Sequence, residues 1–396
     1  MEPIVIGKPK RITLADIVDQ AERAVSMMSE IRSAMLSPTS RKSPPRFNST
    51  QVAALCGIDK GHMAYRITKG DLPGGELNST RSRREFSLGE ARQWVREYRQ
   101  SALRPAGAEA VTISIGNFKG GVSKTTTAVT LAQGLSLRGH KVLVVDTDAQ
   151  GSLTTLFGIL PDTEVDDGDT ILPLCTGAES SIRYAIRPSY WDGIDLVAAA
   201  PLLYGAEFAL PARQARDPEF EFWNVLHYGL DDVRAEYDVI VIDTPPALSY
   251  TTINAFMASD GLIMPLPPNA LDFASAAQFW SLFSDLAGGL LTNRGLDKTF
   301  EFIHVLMSRV DSSDAASAIV RTWISSVYTD KVLPVEIPKT AVTATASAEF
   351  GTVYDLSRYD GNLKTFKRAK DAYERVTELI EGSVQAVWRR QLEGEA

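Results

Sequence analysis

The sequence predicts an α/β protein. Its main part is a mostly parallel sheet covered by helices on both faces, preceded by an N-terminal helix and a small winged helix-turn-helix domain. Three observations predict this. Seven short runs, at residues 111–115, 142–145, 195–199, 239–242, 262–266, 302–306 and 332–337, are apolar almost throughout and alternate with helical patterns, as strands buried on both faces of a parallel sheet do. The first run leads into Gly116-Asn-Phe-Lys119-Gly120-Gly121-Val122-Ser123-Lys124-Thr125-Thr126 and then a helical pattern, the layout of a phosphate-binding loop. Finally, the 18 basic and 11 acidic residues up to position 105 give that region a surplus of positive charge, although the 396-residue chain carries −8. A basic module joined to an acidic body is a nucleic-acid signature.

Three domains follow from the order of these signals. Residues 1–40 hold a helix, with apolar positions at Leu14, Ile17, Val18, Ala21, Val25, Met28, Ile31 and Met35 at helical spacing. Thr13 and Asp16 offer its cap. A helix of this kind needs a partner, either the rest of the chain or a second subunit, so it is a candidate dimerisation element. Prolines and serines after Ser37 read as a linker.

Residues 41–104 form the basic module. Ser49-Thr50 is expected to cap a short helix that Gly57 stops, and a second short helix runs over 60–69. The turn-rich stretch from Gly70 leads to Arg81-Ser-Arg83-Arg84, and Ser87 caps a last helix. This order resembles a winged helix-turn-helix of the MerR-like kind. Lys60, His62, Tyr65 and Arg66 are then expected at the major groove, and Arg81, Arg83 and Arg84 at phosphate.

Residues 105–396 carry the chemistry. Lys124 would neutralise phosphate and Thr125 would ligate Mg²⁺, an ion that takes oxygen ligands and keeps several waters. Acids should therefore wait at other strand ends. Two strands end this way, one in Asp146-Thr-Asp148-Ala-Gln150 and the other in Asp243-Thr-Pro-Pro. The two cysteines, Cys56 and Cys175, are too far apart in sequence to read as a zinc or disulfide framework and suit a reducing cytoplasm. The N-terminus lacks the apolar core of a signal peptide, and no run approaches the roughly 20 apolar residues of a spanning helix.

Lys-Gly-Gly-x-Ser-Lys-Thr, then Asp-x-Asp-x-Gln, then a hydrophobic strand with Asp-Thr-Pro-Pro, resembles the deviant Walker A family of MinD and ParA ATPases, P-loop NTPases. The resemblance covers roughly residues 110–390, and Ser123 and the basic N-terminal extension point to its larger plasmid-partition ParA proteins. It implies ATP and ADP as ligands, with Mg²⁺. Lys119, Gly120, Gly121, Val122, Ser123, Lys124, Thr125 and Thr126 would surround the phosphates, with Lys119 reaching across an ATP-bound homodimer. Asp148 would orient the attacking water, Asp146 would support the metal shell, and Asp243 would hold a metal-bound water. Pro338 falls where the family's adenine loop lies. Ser123 stands in place of a glycine and Ala149 in place of a proline.

The implied function is partition of a plasmid or replicon with a ParB-type partner, cytoplasmic and nucleoid-associated, with repression of its own operon. Lys364, Lys367 and Arg368, in a cluster of five basic residues and one acidic between Arg358 and Lys370, are candidates for non-specific DNA contact. Two other readings are open. A MinD-like membrane switch needs a basic amphipathic terminal helix, whereas this chain ends in acidic residues, so Val376, Leu379, Ile380, Val384, Val387 and Trp388 are expected to pack inward and no membrane partner is expected. A repressor with a regulatory nucleotide site would lack catalytic residues, and here each position is filled.

Overall fold

The computed structural model describes residues 11–35, 42–78, 80, 82–292, 294–295, 297–340, 351–355 and 362–394. Two units arise, residues 1–42 and 43–396. The described residues of the first hold one helix, α1 (Leu14–Met35). Thr13 and Asp16 cap each other's backbone at its start, at 2.8 and 3.2 Å, and Leu14, Ile17, Val18 and Val25 are exposed.

The second unit begins with β1 (Phe47–Asn48), α2 (Ser49–Cys56), α3 (Lys60–Lys69), β2 (Glu76–Leu77), β3 (Arg84–Phe86) and α4 (Leu88–Tyr98). The cap of α2 is Asn48, not Ser49-Thr50. Its side chain accepts from Thr50 and Gln51 while Gln51 returns a bond to the Asn48 N–H, a capping box. Gly57 ends α2 in the left-handed region, and Ser87 with Glu90 boxes the start of α4. The three strands pair antiparallel in the order β1-β3-β2, and Val52, Met63, Phe86 and Trp94 fill the space beneath.

The remaining strands are β4 (Val111–Ile115), β5 (Val142–Asp146), β6 (Arg187–Pro188), β7 (Ile194–Val197), β8 (Val239–Asp243), β9 (Gly261–Leu266), β10 (Phe302–Val310) and β11 (Val332–Pro338). Their order is β11-β10-β9-β4-β8-β5-β7-β6. Every pairing is parallel except β6 with β7. All seven sequence-predicted strands are present within a residue or two, save that β10 runs on to Val310. Two-residue β6 carried no periodic signal. Both edges of the sheet hold proline: Pro188 in β6, Pro334 and Pro338 in β11.

Helices cover both faces. After β4 comes α5 (Lys124–Leu137), and between β5 and β6 lie α6 (Ser152–Leu156), α7 (Pro161–Glu164) and α8 (Leu172–Thr176). Then follow α9 (Ala206–Arg216), α10 (Val225–Leu230), α11 (Tyr250–Met257), α12 (Ala270–Thr292), α13 (Ala315–Tyr328) and α14 (Leu363–Glu393). The apolar stripe of α14 packs inward, with Val376, Ile380, Val384, Val387 and Trp388 buried beside α5 and the sheet. No described helix is long and apolar enough to cross a membrane. Strand β4, central in the sheet, delivers its C-terminal loop to the end where β5 and β8 also finish, the place where open α/β sheets bind ligands.

Candidate nucleotide and nucleic-acid sites

The loop between β4 and α5 is built by close packing and two left-handed residues. Gly116 leaves β4 against Phe256, where a Cβ would come within 2.3 Å of the ring, so only glycine fits. Asn117 donates to the Pro265 carbonyl at 2.9 Å and accepts the Lys119 N–H at 3.1 Å, fixing the turn. Gly121 has φ +75° and Ser123 has φ +78°. The serine therefore occupies a conformation that costs an L-residue about 1–2 kcal/mol. The sequence flagged this position as a departure, and the backbone gives the reason it matters.

Lys124 opens α5, is 6 % exposed, and donates Nζ to the Lys119 carbonyl at 3.0 Å. Burial lowers its pKa, against the pull of Asp243 and Asp148. The ends of β5 and β8 bring the acids to it. Asp146 and Asp243 are register partners on these neighbouring strands and both are fully buried. Asp146 accepts the Thr154 N–H at 3.0 Å, its hydroxyl at 2.8 Å and the Asp148 N–H at 3.1 Å. Burial nevertheless pushes its carboxyl up to about 7. Neither oxygen of Asp243 has a full hydrogen bond. Burial and then the neighbouring Asp146 push its pKa well up, while the Thr125 hydroxyl and Lys124 favour its ionised form. Asp148 accepts the Gln150 N–H at 3.0 Å and is only partly buried.

An uncompensated buried carboxylate beside a hydroxyl and a lysine is the environment that a cation with its own water shell would relieve. Among the described residues, no three His, Cys, Asp or Glu side chains close into a metal cage. The geometry thus suits a hydrated ion that borrows ligands from a phosphate, rather than an all-protein site.

Beside the loop is a cavity of about 330 Å³, lined by Lys119, Gly120, Gly121, Asp272, Arg309 and Lys339 among others. Lys119 forms an ion pair there with Asp272. Arg309 donates to the Gly121 carbonyl at 2.6 Å, and Ser308 to the Val122 carbonyl at 2.9 Å. Pro338 ends β11 opposite Val310, next to Lys339 of the cavity wall. Sequence reading missed Asp272 and Arg309. Asp272 follows the end of β9, after the Pro267-Pro268-Asn269 turn, and Arg309 is the next-to-last residue of β10, so nearness to a strand's C-terminal end was the signal for both.

In the basic module the structure redirects two side chains. Arg66 is turned inward, bonded to Asp71 at 3.0 Å, Tyr98 at 3.0 Å and Glu97 at 3.1 Å; it holds α3 to α4 instead of facing outward as the sequence reading had it. Arg84 folds onto the Gly74 carbonyl at 2.9 Å and braces the hairpin, so it too is occupied. His62 meets Tyr98 at 2.8 Å while staying exposed. The outward face of α3 instead shows Gly61, Ala64, Tyr65, Thr68 and Lys69, with Lys60 at its start. Arg83 is exposed, and Arg81 lies outside the described residues. On the first turns of α14, Lys364, Lys367 and Arg368 are all exposed.

A family model described as an AAA domain matches residues 110–296. Protein SopA of Escherichia coli (strain K12) is 32 % identical over 292 residues, covering 71 % of this chain and 73 % of that one. The chain belongs to the family of ParA-type partition ATPases. Another member, the chromosome partitioning protein ParA of Caulobacter vibrioides, is 28 % identical over 268 residues, covering 66 % of this chain and 94 % of its own. A solved structure titled "Partition Protein" shares the fold at 19 % identity, with a TM-score of 0.67 over 94 % of this chain and 98 % of that one. ParA-type sequence and ParA-type fold therefore coincide in a chain whose nucleotide loop carries both lysines.

Proposed function

We propose that the chain is an ATP-switched DNA partition protein that hydrolyses ATP with Mg²⁺, slowly when alone, and dimerises in the ATP state. The observation that carries the reading is the convergence of Lys124, Thr125 and the buried Asp243, whose oxygens have no full hydrogen bond. Lys124 and the N–H groups from Gly120 to Thr126 hold the phosphates. Thr125 and, through water, Asp243 hold the ion, and Asp146 supports it. A bound Mg²⁺ neutralises charge that develops on the phosphate oxygens. Asp148, less buried and at the end of β5, orients the attacking water. Lys119, at the mouth of the loop, acts on the nucleotide of a second copy, which makes hydrolysis conditional on dimerisation. Pro338 borders the base.

In this reading residues 41–104 are a winged helix-turn-helix that binds an operator in the chain's own promoter, with Lys60, His62 and Arg83 as its polar contacts. Lys364, Lys367 and Arg368 hold non-specific DNA and place the protein on the nucleoid. A ParB-type protein stimulates turnover. The test compares binding to random DNA and to the chain's own upstream DNA, each in ADP and in ATP, alongside Mg²⁺-dependent hydrolysis. Random-DNA binding confined to ATP, and upstream-specific binding that needs residues 41–104, are the expected results. Hydrolysis at full rate in Lys119→Ala would remove the trans-lysine role.

A further inference from the structure

Helix α5 begins at the phosphate loop and ends in a grip of arginines. Arg92, Arg96 and Arg99 are spaced i, i+4 and i+7 along α4 and its C-cap, so they line one face. Arg92 donates Nε to the Ser136 carbonyl at 3.0 Å and Nη2 to the His140 carbonyl at 2.9 Å. Arg96 donates to the Gly139 carbonyl at 2.5 Å, and Arg99 to the Arg138 carbonyl at 2.7 Å. These four oxygens belong to the last turn of α5 and the residues just beyond it, where a helix leaves carbonyls unpaired and its dipole is negative.

The grip is anchored behind. Arg92 pairs with Asp192. Arg99 also donates to both oxygens of buried Glu381 at 2.9 and 2.8 Å, which binds Arg138 at 2.6 Å and His140 at 2.7 Å as well. Meanwhile α4 carries α3, through Tyr98 and Glu97 on Arg66 and through Tyr98 on His62. Helix α5 has no slack sideways either, since a Cβ on Gly134 would lie 2.4 Å from Thr377 Oγ1 of α14. Lys124 and the arginine row thus sit at opposite ends of one rigid element about 20 Å long.

We propose that this arginine row couples the phosphate loop to the α3–α4 module. A shift of α5 on binding nucleotide at its N-terminus is read at its C-terminus by Arg92, Arg96 and Arg99, and α4 passes it to α3. By reciprocity, whatever α3 holds alters nucleotide affinity by the same factor. The inference rests on the reading of the loop as a nucleotide site. A covalent tether alone would leave the α5 carbonyls to water; three arginines from a neighbouring module make the two parts move together.

Calorimetric titration with Mg-ADP comes first, on the full chain. Hydrogen–deuterium exchange is then followed with and without saturating Mg-ADP. In the unmodified chain, amides of α3 and α4 are expected to change exchange rate about five-fold on binding. In Arg96→Met, which loses a single hydrogen bond from an exposed residue, that response shrinks, and in Arg96→Met/Arg99→Met, where only Arg92 still holds the α5 carbonyls, it falls to less than half, while loop amides 119–124 still respond. Arg96→Lys restores it, because an ammonium can make the one bond to Gly139. If the double variant melts early by circular dichroism, the single variants decide. An α3–α4 response absent from the unmodified chain, or undiminished in Arg96→Met, overturns the coupling. Failure of the unmodified chain to bind Mg-ADP overturns the nucleotide-site reading itself, a separate result.

Discussion

Lys119 is paired with Asp272 of its own chain, across the cavity between the loop and the first turn of α12. Asp272 is 5 % exposed; Asn269 donates its side-chain amide to the carboxylate and accepts the Asp272 N–H at 3.0 Å. The lysine proposed to serve a second copy is therefore engaged at home, by an acid whose position the capping turn fixes. Released, it would have to exchange that partner for phosphate.

Asp272→Asn keeps the shape of the turn but removes the charge that retains Lys119. The lysine is more than a third exposed, so solvent screening limits the pair to about 0.5–1 kcal/mol. The variant is expected to raise the ATP-dependent dimer fraction by about two- to five-fold, measured by analytical ultracentrifugation. A fall in dimer would instead place Asp272 in the dimer contact.

Ser123→Gly removes a left-handed serine at the start of α5. Relief of about 1–2 kcal/mol, less the extra entropy a glycine loses on folding, leaves a net stabilisation of about 0.5–1 kcal/mol. Chemical denaturation of the nucleotide-free chain checks this. No change would mean that the loop relaxes to another conformation when the strain is removed.

Glu381 gives the chain an acid-sensitive joint. Burial alone would raise its pKa, but hydrogen bonds from His140 and Arg99 and the charge of Arg138 bring it down to about 2. A folded-state pKa below the unfolded one contributes stability that is complete above about 4.5 and is lost as pH falls toward 2. A shift of this size corresponds to about 3 kcal/mol. Glu381→Gln is expected to lower stability by about 2–3 kcal/mol at pH 7 and by much less near pH 3, read from urea unfolding at the two pH values.

Lys367→Glu tests the exposed start of α14. If Lys367 meets DNA phosphate, the logarithm of affinity for random duplex against the logarithm of salt loses about one unit of slope. Stability should hold, since the side chain is exposed. An unchanged slope would assign the cluster to solvent.

The sheet was legible because its strands are buried on both faces, so their composition alone marks them. Val111, Val142 and Val239 each start a strand that the apolar run announces. The acids were legible because they end such strands, and register then brings Asp146 beside Asp243. What periodicity cannot convey is which way a polar side chain turns. Arg66 reads as a solvent-facing residue of α3, yet Glu97 and Tyr98, more than 30 positions later, draw it inward. Asp272 is invisible as a lysine partner for the same reason. It lies far along the chain, and only the parallel order of β9 beside β4 brings it to the loop. Asn48 displaced Ser49 as the cap because β1 ends there and extends its backbone.

The prolines at the two sheet edges limit how copies of this chain can gather. A proline offers no N–H to an incoming strand, and the two-residue β6 gives it almost nothing to pair with. Copies brought close together are denied the irreversible zippering of strand onto strand at the edges of this sheet. Association between copies at this part of the molecule is left to helices and loops, surfaces that part more readily than a shared sheet.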